Sequence, residues 1–327
     1  MAKVLTSACA IAVVLATGFT AAGRALARTP ATGVRTLTIH YEAHDGADRL
    51  AFVVLPAWYG RGDHPPLPLV ISPHGRGATG LANAKLWGDL PAMGSFAVVS
   101  PDGMGRKLAL YSYGYPGQID DLARMPAIVS RVLPWLRIDR RRIFAVGSSM
   151  GGQETLLLVA RRPRLLAGAV AMDSVTDLVR RWAELPSVPC SRRCLARVGG
   201  YGRNLRALMR REIGGAPSDD RAGYEERSPL AHARAIASSG VPLQVWWSTD
   251  DRVVVDQRDQ SEAFVQRIRQ LDPDAPVTVY RGTWSHSHEM RASGLLIVAL
   301  KQFHLIRADV PVSRRSLSTL SSVTPPL

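Results

Sequence analysis

The stretch RIFAVGSSMGGQETLLLVA, residues 142–160, decides the fold that the sequence predicts. The apolar run at 143–146 is typical of a buried strand, and it leads directly into GSSMG. A helical pattern follows, with Glu154 in its first turn, where the helix dipole favours an acid. A strand, the pattern G-x-S-x-G and a helix in this order predict a tight, strained turn that holds the hydroxyl of Ser149 clear of the sheet.

The glycines of this stretch have a steric reason. Gly147 and Gly151 leave space for the strand and the helix to approach the turn. The start of the helix also aims backbone N–H groups at the place where a carbonyl oxygen would become negative. The alternative is a turn in a nucleotide-binding unit, but the stretch contains neither G-x-G-x-x-G nor G-K-[ST]. We therefore interpret Ser149 as a nucleophile.

The chain on either side alternates strand and helix patterns. Strands are predicted at 36–41, 50–55, 69–71, 96–99, 143–146, 169–172, 241–247 and 277–280, and helices at 119–136, 257–271 and 289–305. This α/β alternation predicts a mostly parallel sheet covered by helices on both faces. Residues 174–240 interrupt it, and we interpret them as a mostly helical insertion that stands where a cap or lid over the active site would lie. The alternative is a surface excursion unrelated to substrate.

The first 27 residues have the pattern of a signal peptide. Lys3 supplies a positive charge, residues 8–22 are almost all apolar or small, and Ala25-Leu26-Ala27 is a small-x-small cleavage sequence. Thr17, Gly18 and Thr20 interrupt the apolar run, which argues against a permanent membrane anchor. We expect cleavage after Ala27, a secreted protein and no stable membrane insertion of the mature chain.

The remaining boundaries follow from composition. With 46% hydrophobic residues, the chain can bury one sizeable core, so we expect a single domain over 28–310 that contains the insertion. Residues 311–327 are rich in Ser and Pro, and we expect a disordered tail there.

The number and spacing of the cysteines are consistent with an exported protein. Cys9 would leave with the signal peptide, and Cys190 and Cys194 remain as a pair in PCSRRC. Such a pair in an exported protein predicts a short disulfide clip. Two free thiols or half of a metal site are the alternatives, and the metal site is disfavoured because no Cys/His cluster lies near the pair.

The charge of the chain is strongly positive, at +14. Such a charge can indicate nucleic acid, an anionic surface or an acidic polymer as a partner. Nearly all of it is arginine scattered along the chain, and no basic stripe alternates with aromatic residues. We therefore expect no nucleic-acid binding.

A serine nucleophile needs a base to accept its proton and an acid to orient that base. In doubly wound hydrolases these residues follow one another as Ser, then Asp or Glu, then His. Asp251 follows the predicted strand 241–247, and His286 follows the predicted strand 277–280. Both are therefore expected at the same edge of the sheet as Ser149.

Four motifs carry a resemblance to a known family. They are HGRG at 74–77, GSSMGG at 147–152, YEERSPL at 224–230 and STDDRVV at 248–254. With them, the chain resembles α/β-hydrolases, and in particular the catalytic domain of the prolyl oligopeptidase family and related secreted esterases. The N-terminal propeller of the large peptidases is absent from this chain, so their size gating of peptides is not implied.

The resemblance implies a Ser149–Asp251–His286 triad but leaves alternatives. The second Asp of the STDD loop matches the family acid, which favours Asp251 over Asp250, while Asp173 is a third candidate at the end of another strand. His286 is preferred to His288 as the base because it follows the G-x-W turn. His74 in HGRG is expected to be structural.

The oxyanion hole is expected to consist of the backbone N–H groups of Arg76 and Met150. The sequence contains no H-E-x-x-H, and its histidines are not spaced as ligands, so we expect neither a metal nor a cofactor.

These expectations combine into a secreted serine hydrolase that cleaves an ester bond, with an amide or peptide bond as the alternative, through an acyl-enzyme. The substrate would be a small-molecule ester or a peptide, and the sequence carries no signal for an oligomeric state. One alternative is an acyltransferase that uses the same triad. Another is a non-catalytic protein that binds anionic polymers on a hydrolase scaffold.

Overall fold

The computed structural model describes residues 33–104, 112–187, 201–291 and 294–326. The predicted signal peptide at 1–27 lies outside these ranges, as do Cys190 and Cys194 of the predicted disulfide. Within them, no helix is long and apolar enough to cross a membrane.

Apolar and β-branched runs form the strands, which in the described part of the chain join one 9-stranded sheet. The strands are β1 (Val34–Glu42), β2 (Asp48–Pro56), β3 (Leu67–Ile71), β4 (Ala97–Pro101), β5 (Ile138–Ser148), β6 (Gly168–Met172), β7 (Leu243–Ser248), β8 (Val277–Gly282) and β9 (Leu320–Thr324). Strands β3, β4, β6 and β7 are buried along their whole length, as expected for strands that are covered on both faces.

The order of strands across the sheet is β1-β2-β4-β3-β5-β6-β7-β8-β9. The strands from β4 to β8 in this order pair in parallel, while β1 and β2 on one side and β9 on the other are antiparallel additions. Because parallel strands end at the same edge of a sheet, the loops after β3, β5, β6, β7 and β8 all leave from one edge. The predicted mostly parallel sheet is confirmed.

Helices cover both faces of the sheet. Those described are α1 (Gly80–Leu86), α2 (Leu90–Gly94), α3 (Pro116–Val132), α4 (Met150–Arg161), α5 (Leu178–Glu184), α6 (Tyr201–Ile213), α7 (Arg221–Glu226), α8 (Ala233–Ala237), α9 (Ala263–Leu271), α10 (Leu296–Gln302) and α11 (Arg314–Leu317). Side chains of α3, α4, α8 and α9 pack on one face, and those of α1, α2 and α10 pack on the other. Alternate residues of each strand point to opposite faces, so Leu69 and Ile71 belong to the first core and Val70 to the second.

The predicted insertion at 174–240 is helical in its described part, with α5 to α8. It has a small apolar core of its own, in which Leu178, Leu205, Met209 and Tyr224 are buried. Val254, which follows β7, also belongs to this core and joins the insertion to the loop that carries Asp251.

Two differences from the predicted elements concern residues 289–327. The helix predicted at 289–305 begins at Leu296, because Glu289 is fully buried and its carboxylate accepts a hydrogen bond from Ser148 at 2.9 Å, in a turn before the helix. The tail predicted to be disordered at 311–327 contains α11 and β9. Strand β9 pairs with β8, whose N–H and C=O groups would otherwise form an open edge.

The turn between β5 and α4 depends on two glycines. A Cβ atom on Gly147 would lie 2.3 Å from the carbonyl oxygen of Gly151, and a Cβ atom on Gly151 would lie 2.3 Å from the carbonyl oxygen of Pro73. The backbones of β5, the turn, α4 and the loop after β3 therefore approach one another too closely for a side chain at Gly147 or Gly151.

The substitution Gly151→Ala tests this close approach. The new methyl group would meet the backbone of Pro73, which cannot rotate away, so we expect a loss of about 1–3 kcal/mol in the free energy of unfolding. Urea denaturation measures it. Gly60→Ala is the matched control, since its Cβ would have nothing within 4 Å. Equal stabilities of the two variants would contradict the steric explanation.

Candidate active site

Ser149 occupies the strained turn that its sequence motif predicts. Its backbone has φ 60° and ψ −124°, between the end of β5 and the start of α4. A non-glycine residue avoids this conformation unless its surroundings impose it. Here the N–H of Ser149 donates to the carbonyl oxygen of Met172, at the end of the neighbouring strand β6, at 2.8 Å.

The loop after β3 lies directly against Ser149. A Cβ atom on Gly75 would lie 3.7 Å from the Cβ atom of Ser149, which is van der Waals contact. The next residue, Arg76, lines the same cavity as Ser149 and Met150. Met150 is the first residue of α4, where N–H groups have no acceptor within the helix. The two residues predicted to form the oxyanion hole are thus brought together beside the serine.

The neighbouring His74 has a structural environment. Both of its ring nitrogens lie 2.9 Å from backbone carbonyl oxygens, those of Gly75 and Asp102, and the residue is only 4% exposed. It connects the loop after β3 to the end of β4.

His286 and Asp251 form the second half of the site. Nδ1 of His286 lies 2.8 Å from Oδ2 of Asp251. The other oxygen of Asp251 accepts the N–H groups of Val253 and Val254 at 2.8 and 3.0 Å. Gln257 donates to Oδ2 at 3.1 Å, so the carboxylate is held from several sides. This arrangement fixes the ring of His286 and leaves its Nε2 for other partners.

The alternative residues are placed elsewhere. Asp250 is exposed, and the bond to His286 comes from Asp251 instead. His288 is exposed and lines a separate surface depression together with Arg315. Both preferences drawn from the sequence, Asp251 and His286, therefore agree with the geometry.

Asp173 is close to this pair but has other partners. One of its ligand atoms lies within 4.8 Å of one on Asp251 and of one on His286, and in the described ranges this is the one group of three side chains that could hold a metal ion. Its carboxylate accepts N–H groups of Ser248 and Trp284, each at 3.0 Å, and of Ser287 at 3.2 Å.

A cavity of about 130 Å³ lies over Ser149 and His286. It is lined by Arg76, Tyr113, Ser149, Met150, Gln153, Val175, Arg181, Leu205, Val253, Val254 and His286. Val175, Arg181 and Leu205 come from the insertion at 174–240, which therefore forms one wall of the cavity.

Solved structures of other proteins share this architecture. An acylaminoacyl peptidase from Pyrococcus horikoshii superposes with a TM-score of 0.62 and 15% identity, over 86% of this chain and 43% of that chain. An S-formylglutathione hydrolase from Staphylococcus aureus superposes with a TM-score of 0.59 and 15% identity, over 83% of this chain and 99% of that chain. A puromycin-hydrolyzing peptidase from Mycobacterium tuberculosis gives a TM-score of 0.60 and 20% identity, over 83% of this chain and 38% of that chain.

This chain has the α/β-hydrolase fold. The likeness is one of fold, since no family model and no curated protein matches the sequence. The chain spans less than half of the acylaminoacyl peptidase but nearly all of the formylglutathione hydrolase. In the α/β-hydrolase fold the nucleophile follows a central strand and the acid and base follow later ones, which are the positions of Ser149, Asp251 and His286 here.

A buried polar cluster, which was not predicted from the sequence, lies behind this site. Ser148 donates to Glu289 at 2.9 Å, and its hydroxyl lies 2.8 Å from that of Ser287. Ser148 precedes the candidate nucleophile, and Ser287 follows the candidate base. Ser287 and Glu289 lie in the polar string SHSHE at 285–289, whose last residue was predicted to begin a helix.

The environment of His286 raises its pKa. Burial, the largest single effect, lowers the pKa by disfavouring the charged ring, but the hydrogen bond and charge of Asp251 and the charge of Asp173 together outweigh it. Arg181 opposes them with a smaller effect. The site thus stabilises the protonated imidazole, which is the form that a general base reaches after it accepts a proton.

The substitution Asp251→Asn tests the electrostatic role of Asp251. It removes the charge that raises the pKa of His286 and leaves burial, so we expect that pKa to fall relative to the wild type. The pH titration of the His286 imidazole resonances by NMR measures the shift. Asp250→Asn is the matched control, because its carboxylate is exposed, and it should leave the titration unchanged. A shift in the control alone would identify the other aspartate as the acid.

Proposed function

We propose that this protein is a secreted serine hydrolase that cleaves esters through Ser149, with His286 as general base and Asp251 as its orienting acid. One observation carries the proposal: Ser149, on its strained turn, and His286, bonded to Asp251, line the same cavity. A nucleophile, a base and an orienting acid in this relation are what acyl transfer to a serine requires.

The proposed reaction has two halves. In the first, Oγ of Ser149 attacks the carbonyl carbon of the ester and His286 takes the hydroxyl proton at Nε2, since Nδ1 faces Asp251. The carbonyl oxygen becomes negative and accepts N–H groups of Met150 and Arg76. His286 then protonates the departing alcohol. In the second half, water loses a proton to His286 and attacks the acyl carbon. The bond from that carbon to Oγ of Ser149 then breaks, His286 returns the proton to Oγ, and the acid is released.

The cavity supports an ester over a peptide substrate. It is small, at about 130 Å³, and its walls include the apolar side chains of Val175, Leu205 and Val254, which suit a short acyl group.

Secretion and the disulfide clip are part of the proposal. The support is the signal-like sequence at 1–27 and the close spacing of Cys190 and Cys194 in PCSRRC. We further propose that the insertion at 174–240 acts as a lid, because it contributes Val175 and Leu205 to the cavity wall.

Replacement of Ser149 by Ala tests the nucleophile. We expect the variant to lose at least about a thousandfold in the turnover of a short-chain aryl ester, because the acyl-enzyme can no longer form. A fluorophosphonate probe should label the wild type and not the variant. Peptide mass spectrometry then distinguishes Ser149 from the adjacent Ser148. Undiminished hydrolysis by the variant would exclude this nucleophile, and folded wild-type protein without label would favour a non-catalytic binder.

Export and the disulfide are tested together on the mature protein. Expressed with its leader in an exporting host, the chain should be recovered outside the cell with Arg28 as its first residue. Its intact mass should lack two hydrogen atoms relative to the same protein after reduction, as a Cys190–Cys194 bond requires. A protein that keeps residues 1–27, or whose mass does not change on reduction, would contradict the corresponding part of the proposal.

A further inference from the structure

Two carboxyl groups lie in contact behind the candidate active site. Asp173, at the end of β6, and Glu289, after the His286 loop, are each 0% exposed, and their side chains are hydrogen-bonded to each other. Two buried carboxylates in hydrogen-bond contact cannot both be charged without strong repulsion, so one proton between them is the stable arrangement.

The surrounding donors are unequally shared between the two acids. Asp173 accepts backbone N–H groups of Ser248 and Ser287 and the indole N–H of Trp284. Glu289 accepts the hydroxyl of Ser148 on Oε1, while its buried Oε2 has no donor. Donors stabilise a charged carboxylate, which places the negative charge on Asp173 and the proton on Oε2 of Glu289.

We propose that Asp173 and Glu289 share one proton, carried by Glu289, and that this acid pair positions the turn of Ser149 relative to the loop of His286. Glu289 reaches the turn through Ser148, and Asp173 reaches the loop through the N–H of Ser287. Both acids are positioning residues, since Asp251 holds the direct bond to His286. The effect of the pair on turnover rests on the proposed function, whereas its effect on stability does not.

The backbone supports a positioning role. Asp173 and Ser287 have φ values of 44° and 59°, so both share with Ser149 a left-handed conformation that non-glycine residues avoid. Such conformations are kept only where several surrounding hydrogen bonds hold the backbone in place. The hydrogen bonds of Ser148, Ser287 and the acid pair connect these three positions.

The charges that face the pair come from the active site. Burial, the largest effect, raises the pKa of both acids, that of Asp173 well above its usual range and that of Glu289 from 4.5 to about 7, and the charge of Asp251 raises both further. His286 lowers the pKa of Asp173, and the hydrogen bond from Ser148 lowers that of Glu289. His288 and Arg315 line the depression on the outer side of Glu289.

A pH dependence follows from the raised pKa of Glu289. The folded protein holds this proton more tightly than the unfolded chain, so its contribution to stability is complete below pH 4.5 and is lost as pH rises to about 7. Above that pH Glu289 has lost the proton that joins it to Asp173, so the pair no longer holds the turn to the loop.

Two substitutions of Glu289 distinguish a role in positioning the catalytic residues from a role in packing alone. In Glu289→Gln the amide N–H₂ donates to Asp173 at every pH and the amide oxygen still accepts from Ser148. We expect ester turnover within about threefold of the wild type at pH 6, and no loss of kcat above pH 7 where the wild type declines. Glu289→Ala removes both bonds and should lower kcat by about tenfold to a hundredfold with little change in KM, as a small misplacement of reacting groups does.

Thermal unfolding provides a readout that needs no turnover. The Tm of Glu289→Gln minus that of the wild type should increase from pH 4.5 to pH 7 and then remain level. Glu42→Gln, at an exposed position of β1, is the control and should show neither this Tm trend nor a changed pH profile.

Equal losses of kcat in the Gln and Ala variants, or a Tm difference that is independent of pH, would overturn the acid pair. The test is separable from that of the function, since the Tm trend remains expected even if Ser149→Ala were to retain hydrolysis. If that variant is inactive but the Tm difference is flat, the proposed function stands and the acid pair fails.

Discussion

The left-handed backbone at Ser149 is the constraint on which the site depends. A conformation of this kind costs about 1–3 kcal/mol, so it forms only where neighbouring structure compels it. The glycines at 147 and 151 allow the strand, the helix and the loop after β3 to close around the turn, and Met172 on β6 accepts its N–H group. The strain is therefore balanced by the packing of a central sheet, and the serine hydroxyl gains a fixed direction.

The same edge of the sheet brings the other groups of the site to this turn. Strands β6, β7 and β8 are parallel neighbours, so the residues that follow them, Asp173, Asp251 and His286, meet although they are far apart in the chain. Asp251 accepts hydrogen bonds on both of its oxygens, which suits it to orient a base. Asp173 lies deeper and faces another carboxyl group. Two aspartates at adjacent strand ends thus have different chemistry because their surroundings differ.

Much of this arrangement could be predicted from the sequence. The motif around Ser149 is local, and strand ends place Asp251 and His286 once the parallel sheet is inferred. The contacts of Glu289 could not be predicted, because its partner Ser148 lies 141 positions away and nothing in the pattern SHSHE indicates burial. Strand β9 was missed for a related reason: its sequence LSSVT is largely polar, and its strand conformation depends on pairing with β8.

The pairing of β9 with β8 also determines when the sheet can be completed during synthesis of the chain. Every strand from β1 to β8 can find its neighbours before β9 has been made, whereas the outer edge of β8 stays open until Leu320 and the residues after it are available. Open strand edges are the places where partly folded chains associate with one another. The interval between the synthesis of β8 and that of β9 is therefore the period in which this sheet is most exposed to misassembly, and the last strand ends it.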